Sequence, residues 1–168
     1  MFHTSYFRDS YNDFKSALKS YDKNFNESLF LKAIEVAETS HKDQFRASGD
    51  PYIVHPYEVC KSLIDLKLDT ETVITGLLHD VIEDTSYSSE QLNKEFGSSI
   101  FNLVNGLTKI DFLEEKKITK SEKEAENFRK LLISTAKDIR VLIIKLADRL
   151  HNIKTIHFFK DVEKRKRV

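Results

Sequence analysis

Four ionisable residues lie close together in an otherwise apolar segment at positions 77–85: His79, Asp80, Glu83 and Asp84. On a helix with 3.6 residues per turn, His79 and Glu83 share one face. Asp80 and Asp84 share the adjacent face, so all four side chains project within a narrow arc. Three carboxylates at this spacing repel one another unless they share a cation or a proton. We therefore expect this segment to hold a metal ion.

The composition favours one helical domain. The chain has 168 residues, of which 40% are hydrophobic, enough for one domain with a substantial core but not for two. Only four glycines and two prolines are present, which favours helices over a strand-rich fold. The 27 basic and 27 acidic residues give a formal net charge of +0, which argues against nucleic acid as a partner.

The sequence also predicts the compartment. No apolar run approaches the ~18 residues that span a bilayer, and the N-terminus lacks a signal-peptide pattern. The one cysteine, Cys60, has no second cysteine for an internal disulfide, which suits a reducing compartment. We expect a soluble, cytoplasmic protein with no membrane partner.

Start and stop signals predict helices along most of the chain. Asn26 is a suitable N-cap. The next helix is predicted to start at His55-Pro56, with Pro56 suited to its first position, and Thr70 is predicted to cap the helix after it. Ser88 begins a capping-box pattern, and Gly97 is predicted to end that helix.

The remaining stretches are less regular. Residues 1–24 are aromatic and polar, which predicts a short helix or an extended lead-in. Residues 109–124 are rich in charge and poor in apolar periodicity, and they predict a mobile loop. Two further helices are predicted, at 125–136 and at 138–156.

The last predicted helix places Asp148, Asn152 and Thr155 on one line, at i, i+4 and i+7. Two interpretations are open. The line is either a solvated helix end, or it faces the same cavity as residues 79–80. Spacing alone favours the first interpretation, because an aspartate in a helix is usually exposed.

Three longer motifs resemble those of a known enzyme family. They are residues 46–56 (RASGDPYIVHP), 77–85 (LLHDVIEDT) and 145–152 (KLADRLHN). In this order they resemble the hydrolase domain of the RelA/SpoT homologues, within the HD phosphohydrolase superfamily. Those enzymes remove the 3′-pyrophosphate from the alarmones ppGpp and pppGpp. The resemblance covers roughly residues 28–160 and implies an all-α fold, the HD-domain helical bundle.

The resemblance implies a ligand set for the expected metal. One divalent ion, Mn²⁺ in this family, would be held by four side chains: His55, His79, Asp80 and Asp148. Two imidazoles and two carboxylates suit a first-row divalent ion. The donor set alone also admits Fe²⁺, Co²⁺ or Zn²⁺.

The resemblance also implies catalytic and substrate-binding roles. Glu83 and Asp84 would orient or deprotonate a bound water and handle the proton on the leaving 3′-oxygen. The alternative for these two acids is a solvated helix end, and the motif favours catalysis. Arg46 would meet the guanine or the phosphates of the nucleotide. Asn152 and Thr155 would line the nucleoside pocket, because they share a face with Asp148.

The other histidines and nearby cations receive simpler interpretations. His41 lies on the apolar stripe of its helix, so we expect a core histidine or one that supports the site, not a ligand. Lys145 and Arg149 either neutralise the substrate or form salt bridges beside the helix. Three histidines are expected to have no catalytic role: His3, His151 and His157.

The sequence departs from the family pattern at two places. Where the family commonly has a lysine after the position of Arg46, this chain has Ala47, so one cationic contact to the nucleotide is missing. We expect this to affect substrate affinity more than reaction type. Residues 161–168 are predicted to be a truncated C-terminal tail, because family members continue with further helices. Synthetase activity is therefore not expected of this chain.

These observations predict a metal-dependent phosphohydrolase. It would convert ppGpp or pppGpp into GDP or GTP and pyrophosphate, the turnover of the stringent-response alarmone. One alternative is an HD phosphohydrolase with another nucleotide, such as NADPH or a deoxynucleoside triphosphate. The other is an inactive fragment that binds the alarmone or dimerises. The expected organisation is a lead-in at 1–27, the HD domain at 28–160 and the tail, with a homodimer possible.

Overall fold

The computed structural model describes residues 5–114 and 137–158, and in this part of the chain the fold is all-α, as predicted. These two ranges contain seven α-helices: α1 (Ser5–Tyr21), α2 (Glu27–Ser40), α3 (Val54–Asp65), α4 (Thr70–Leu78), α5 (Val81–Asp84), α6 (Ser89–Glu114) and α7 (Ile139–Lys154). A 3₁₀ turn at Ile156–Phe158 follows α7. Within the described ranges, no helix combines the length and apolar character needed to cross a membrane.

Helix α4 lies at the centre of the bundle. It is buried along its whole length except at Glu71, and it packs against α2, α3, α6 and α7. Gly76 allows α3 to approach closely, because a Cβ at this position would overlap Leu63 Cδ1. The helix that leads into the 79–84 segment is therefore fixed on several sides by apolar contacts.

The first helix is part of the core and not an extended lead-in. Tyr11, Phe14 and Leu18 of α1 are buried, and α1 packs against α3. The Tyr21 hydroxyl donates a 2.9 Å hydrogen bond to the Leu68 carbonyl. The aromatic residues of this N-terminal stretch thus bury one face of an amphipathic helix.

The helix starts follow the sequence with two corrections. Helix α3 begins at Val54, so Pro56 is its third residue and not its first. The Asn26 side chain caps α2 by accepting from the Leu29 backbone N–H at 3.0 Å, as predicted. The cap of α4 is Asp69, not Thr70. Asp69 has extended backbone and accepts from the Thr72 N–H at 3.0 Å, so Thr70 is already the first helical residue.

Helix α6 agrees with the prediction at one point and contradicts it at another. Gly97 has a φ of +82° and separates two helical stretches, which agrees with the predicted stop. The loop predicted from residue 109 is wrong for residues 109–114, because the helix continues to Glu114. The rest of that loop, the helix at 125–136 and the tail at 161–168 lie outside the described residues.

Candidate metal centre

The polar residues at 79–84 sit at a break between two helices. Helix α4 ends at Leu78, and His79 and Asp80 keep right-handed helical backbone angles before α5 begins. The predicted continuous helix is therefore interrupted at this dipeptide. His79 is 4% exposed, whereas Glu83 and Asp84 are exposed. The break thus places a buried imidazole next to two accessible acids.

Side chains from three parts of the chain converge at this break. His55 Nε2 lies 3.2 Å from Asp148 Oδ1 and 3.7 Å from Asp80 Oδ2. His79 Nε2 lies 3.1 Å from Asp80 Oδ1 and 4.0 Å from Asp148 Oδ1. The first turn of α3, the α4–α5 break and the C-terminal half of α7 thus meet. Asp148 faces the same cavity as residues 79–80, which is the second of the two interpretations of its helix.

The hydrogen bonds of His79 leave one nitrogen suited to a cation. Its Nδ1 lies 2.8 Å from the Gly76 carbonyl, which accepts a hydrogen and so fixes the hydrogen on Nδ1. Its Nε2 is buried and has no hydrogen-bond partner among the described residues. Three potential metal-ligand atoms lie within 4.8 Å of one another, one each from His55, His79 and Asp80. This donor set fits a divalent metal ion.

The electrostatics of the four side chains are those of a tight imidazole–carboxylate cluster. Burial alone would raise the pKa of Asp80 and Asp148, but His79 and His55 respectively lower both pKa values below the ordinary range. Burial lowers the pKa of His55. Burial also opposes the charge on His79, yet Asp80 raises its pKa to about 9. The carboxylates therefore stay ionised and available to a cation.

Tyr52 joins this cluster, a contact that its loop position did not predict. Its hydroxyl lies 2.6 Å from Asp80 Oδ2 and 2.9 Å from Asp84 Oδ2. Its ring stacks on His41, with centroids 4.6 Å apart. Burial and the two carboxylates raise the pKa of Tyr52 well above its ordinary value. Tyr52 therefore stays protonated, and its hydroxyl lies between Asp80 and Asp84, where it can donate to either carboxylate.

Burial and the charge of Asp80 raise the pKa of Asp84. The Tyr52 hydrogen bond opposes this shift, because it stabilises the ionised carboxylate. Asp84 also lies beside the loop that precedes α3, since Gln44 Nε2 donates to its backbone carbonyl at 2.7 Å. This carboxyl is therefore held in place and holds a proton more readily than an ordinary aspartate.

The three residues assigned to the substrate also meet one another. Arg46 Nη2 donates to Asn152 Oδ1 at 2.8 Å and to Thr155 Oγ1 at 3.1 Å. Asn152 Nδ2 in turn donates to Asp148 Oδ1 at 2.6 Å. A cavity of about 230 Å³ lies beside them. Its lining combines the expected metal, acid and substrate residues: Arg46, Tyr52, His55, Asp80, Glu83, Asp84, Lys145, Asp148, Arg149 and Asn152.

The remaining histidines and Lys145 differ in how they relate to the cavity. His41 is buried, and its Nδ1 lies 2.7 Å from Gln44 Oε1, so it supports the site as a core histidine. Lys145 Nζ lies 3.2 Å from Asp148 Oδ2 and forms a salt bridge while lining the cavity. His157 is exposed. His151 contacts His55, a contact that its sequence interpretation missed.

The chain belongs to the HD domain family, whose model matches residues 33–168. A guanosine-3′,5′-bis(diphosphate) 3′-pyrophosphohydrolase of Haemophilus influenzae is 47% identical over 133 residues, 79% of this chain and 19% of that protein. A protein of the same name in Borreliella burgdorferi is 44% identical over 144 residues, 86% of this chain and 21% of that protein. A GTP pyrophosphokinase of Myxococcus xanthus is 46% identical over 141 residues, 83% of this chain and 18% of that protein.

A solved structure extends the similarity to three dimensions. It is described as a metazoan ortholog of SpoT that hydrolyzes ppGpp and plays a role in starvation responses. It matches with a TM-score of 0.66 and 28% identity over 85% of this chain and 80% of that chain. These similarities confirm the resemblance to the RelA/SpoT homologues. The chain spans about a fifth of the length of the curated relatives it matches.

Proposed function

We propose that the chain is a metal-dependent phosphohydrolase that removes the 3′-pyrophosphate from ppGpp and pppGpp. The observation that carries this proposal is the convergence of His55, His79, Asp80 and Asp148 in the cavity that Glu83 and Asp84 also line. The names of the relatives support the substrate. The products would be GDP or GTP together with pyrophosphate.

We propose Mn²⁺ as the bound ion, with the four converging side chains as its ligands. The family resemblance supports this choice of metal, and the mixed imidazole and carboxylate donors are compatible with it. When bound, such an ion lowers the pKa of a coordinated water and offsets the charge of the pyrophosphate. The ionised state of Asp80 and Asp148 favours ligation, because a carboxylate ligand must be deprotonated.

The two acids would share the proton handling. Hydrolysis forms a bond from a water oxygen to the phosphorus attached to O3′, breaks the bond from that phosphorus to O3′, and transfers one proton from the water and one to O3′. Glu83 would accept the first proton. Asp84 would donate the second, since its raised pKa suits a group that holds a proton before transfer.

Arg46, Asn152 and Thr155 are the proposed nucleotide contacts. Arg46 offers a planar guanidinium that stacks on a base or pairs with phosphate oxygens. Asn152 lines the cavity, and Thr155 accepts from the same Arg46 guanidinium nitrogen as Asn152 does, so both offer hydrogen-bonding groups near the proposed nucleotide site. Lys145 lines the cavity beside Asp148 and adds positive charge toward the phosphates.

Turnover of ppGpp with Mn²⁺ tests the proposed function, with GDP and pyrophosphate measured as products. We expect Asp80→Ala to abolish both Mn²⁺ occupancy and turnover. Glu83→Gln and Asp84→Asn should keep the metal and lower turnover by roughly 10²–10⁴-fold, the contribution of positioned acid–base groups. Asp65→Ala, at an exposed position at the end of α3, is the matched control and should retain full activity.

Three outcomes would contradict parts of the proposal. Full activity in both acid variants at saturating Mn²⁺ would assign the proton handling to other residues. Hydrolysis of NADPH or of a deoxynucleoside triphosphate, with ppGpp left intact, would replace the proposed substrate. Binding of ppGpp without hydrolysis of any of these nucleotides would favour the alternative of an inactive fragment.

The organisation of the chain is also a proposal. The hydrolase domain would cover residues 28–160 together with α1, because Tyr11, Phe14 and Leu18 are buried in the same core, and residues 161–168 would follow it. A homodimer is proposed because Leu66, Leu146 and Leu150 are 63%, 60% and 47% exposed and line one apolar groove. Sedimentation of wild type and Leu146→Glu tests this, since a dimer through the groove should dissociate in the variant.

A cytoplasmic location is proposed from the single, buried Cys60.

A further inference from the structure

The imidazoles of His55 and His151 face each other through the same kind of nitrogen. Their Nδ1 atoms are 2.7 Å apart, and both residues are buried, with 1% and 9% exposed. At this distance one hydrogen lies between the two nitrogens, so one ring donates and the other accepts. The pair joins the first turn of α3 to the last turns of α7.

The direction of this hydrogen bond decides whether His55 can bind a cation. If His55 donates from Nδ1, its Nε2 keeps a lone pair directed toward Asp80 and Asp148. If His151 donates, the hydrogen of His55 is on Nε2, which then donates to Asp148 Oδ1 at 3.2 Å. The second arrangement blocks the nitrogen that faces the other proposed ligands.

We propose that His151 is a positioning residue for the metal centre: it accepts the Nδ1 hydrogen of His55 and so keeps the Nε2 lone pair of His55 available to the ion. This inference rests on the proposed metal-binding role of His55. His79 has an equivalent support, because its Nδ1 donates to the Gly76 carbonyl. Each proposed imidazole ligand thus has its own Nδ1 partner, an arrangement that orients metal-ligating histidines in general.

The burial of His55 explains why the partner matters. Without His151, a hydrogen on Nδ1 of His55 would be buried without an acceptor, which costs free energy. The ring would then favour the hydrogen on Nε2, where Asp148 accepts it. An incoming ion would have to displace that hydrogen bond, so its affinity would fall.

Metal binding without nucleotide tests the inference by calorimetry with Mn²⁺. His151→Leu removes the acceptor and should raise the Kd about 10–100-fold, the usual effect of losing such a partner. His151→Asn should recover part of the affinity, because its amide oxygen can accept the hydrogen. His157→Leu, the same change at an exposed position, is the matched control and should bind like wild type. A wild-type Kd in folded His151→Leu would overturn the inference.

Nuclear magnetic resonance of the wild-type chain gives a second readout that needs no variant to fold. With ¹⁵N-labelled histidine and diamagnetic Zn²⁺, we expect a ¹⁵N–¹⁵N coupling between the Nδ1 atoms of His55 and His151, with the hydrogen on His55. A resolved spectrum without this coupling would overturn the inference. Failure of the proposed metal-binding role of His55 is distinguishable, because His55→Ala would then bind Mn²⁺ like wild type. Failure of the proposed hydrolysis would appear only in the ppGpp assay, since the metal titration contains no nucleotide.

Discussion

Replacing Tyr52 with phenylalanine tests whether its hydroxyl positions the carboxylates of Asp80 and Asp84. The change removes only the hydroxyl, which lies 2.6 Å from Asp80 Oδ2 and 2.9 Å from Asp84 Oδ2. That hydroxyl has one hydrogen to donate, so it bonds one carboxylate at a time. The ring and its stacking on His41 remain, so the loop before α3 should keep its position.

The size of the effect follows from the charge of the acceptors. A hydrogen bond to a charged group contributes about 1.5–3 kcal/mol. Since 1.4 kcal/mol corresponds to a factor of ten, losing the hydroxyl of Tyr52 should lower kcat/KM for ppGpp by roughly 10–100-fold. The Tyr52 hydrogen bond lowers the pKa of Asp84, so its loss raises that pKa further. Because Asp84 is proposed to donate its proton, the alkaline limb of the pH–rate profile should move to higher pH.

The assay is the pH dependence of kcat/KM for wild type and Tyr52→Phe, with Mn²⁺ saturating. Tyr57→Phe is the matched control, because the buried Tyr57 hydroxyl donates to Glu38 at 3.0 Å, away from the cavity. The control loses an equivalent hydrogen bond and should keep both its kcat/KM and its pH profile. Wild-type kcat/KM in Tyr52→Phe, or an equal loss in the control, would refute the reasoning.

Three further predictions concern substrate binding, pH and packing. Ala47→Lys should lower the KM for ppGpp more than it changes kcat, because a restored phosphate contact acts mainly on binding; an unchanged KM would count against it. In the metal-free chain, the pKa of His79 is raised to about 9, so its contribution to stability is complete below about pH 6.5 and lost as the pH rises through 9. Denaturant unfolding at pH 6.5 and pH 10 should show this loss in wild type and much less of it in Asp80→Asn. Gly76→Ala should destabilise the fold by about 1–3 kcal/mol in the same measurement, because the added Cβ overlaps Leu63; an unchanged midpoint would show that α3 and α4 move apart easily.

The sequence predicted the features that depend only on local spacing and on helix start and stop signals. The i, i+4, i+7 spacing placed Asp148, Asn152 and Thr155 on one line, and the structure has Arg46 bonded to the last two. The Asn26 cap and the stop at Gly97 followed in the same way. Spacing alone favoured an exposed Asp148, and only the family resemblance favoured the cavity.

The contacts that the sequence did not predict depend on how distant segments pack. Tyr52 lies in a loop, and no periodicity predicts where a loop side chain points. His151 lies one residue before Asn152 on α7, and its meeting with His55 depends on how α3 packs against α7. The break after Leu78 was also missed, because His79 and Asp80 keep near-helical backbone angles. These features depend on tertiary packing, and local sequence patterns do not show which distant residues will come into contact.

The loop that precedes α3 is attached to both halves of the site. Arg46 is bonded to Asn152 and Thr155, the proposed nucleotide contacts, while Gln44 and Tyr52 are bonded to the segment that carries the proposed acids. A nucleotide that displaces Arg46 would therefore also move the loop, residues 41–53, that is bonded to Asp80 and Asp84. For the proposed hydrolase, KM and kcat should therefore change together, so that a change made in the loop to weaken binding also slows the chemical step.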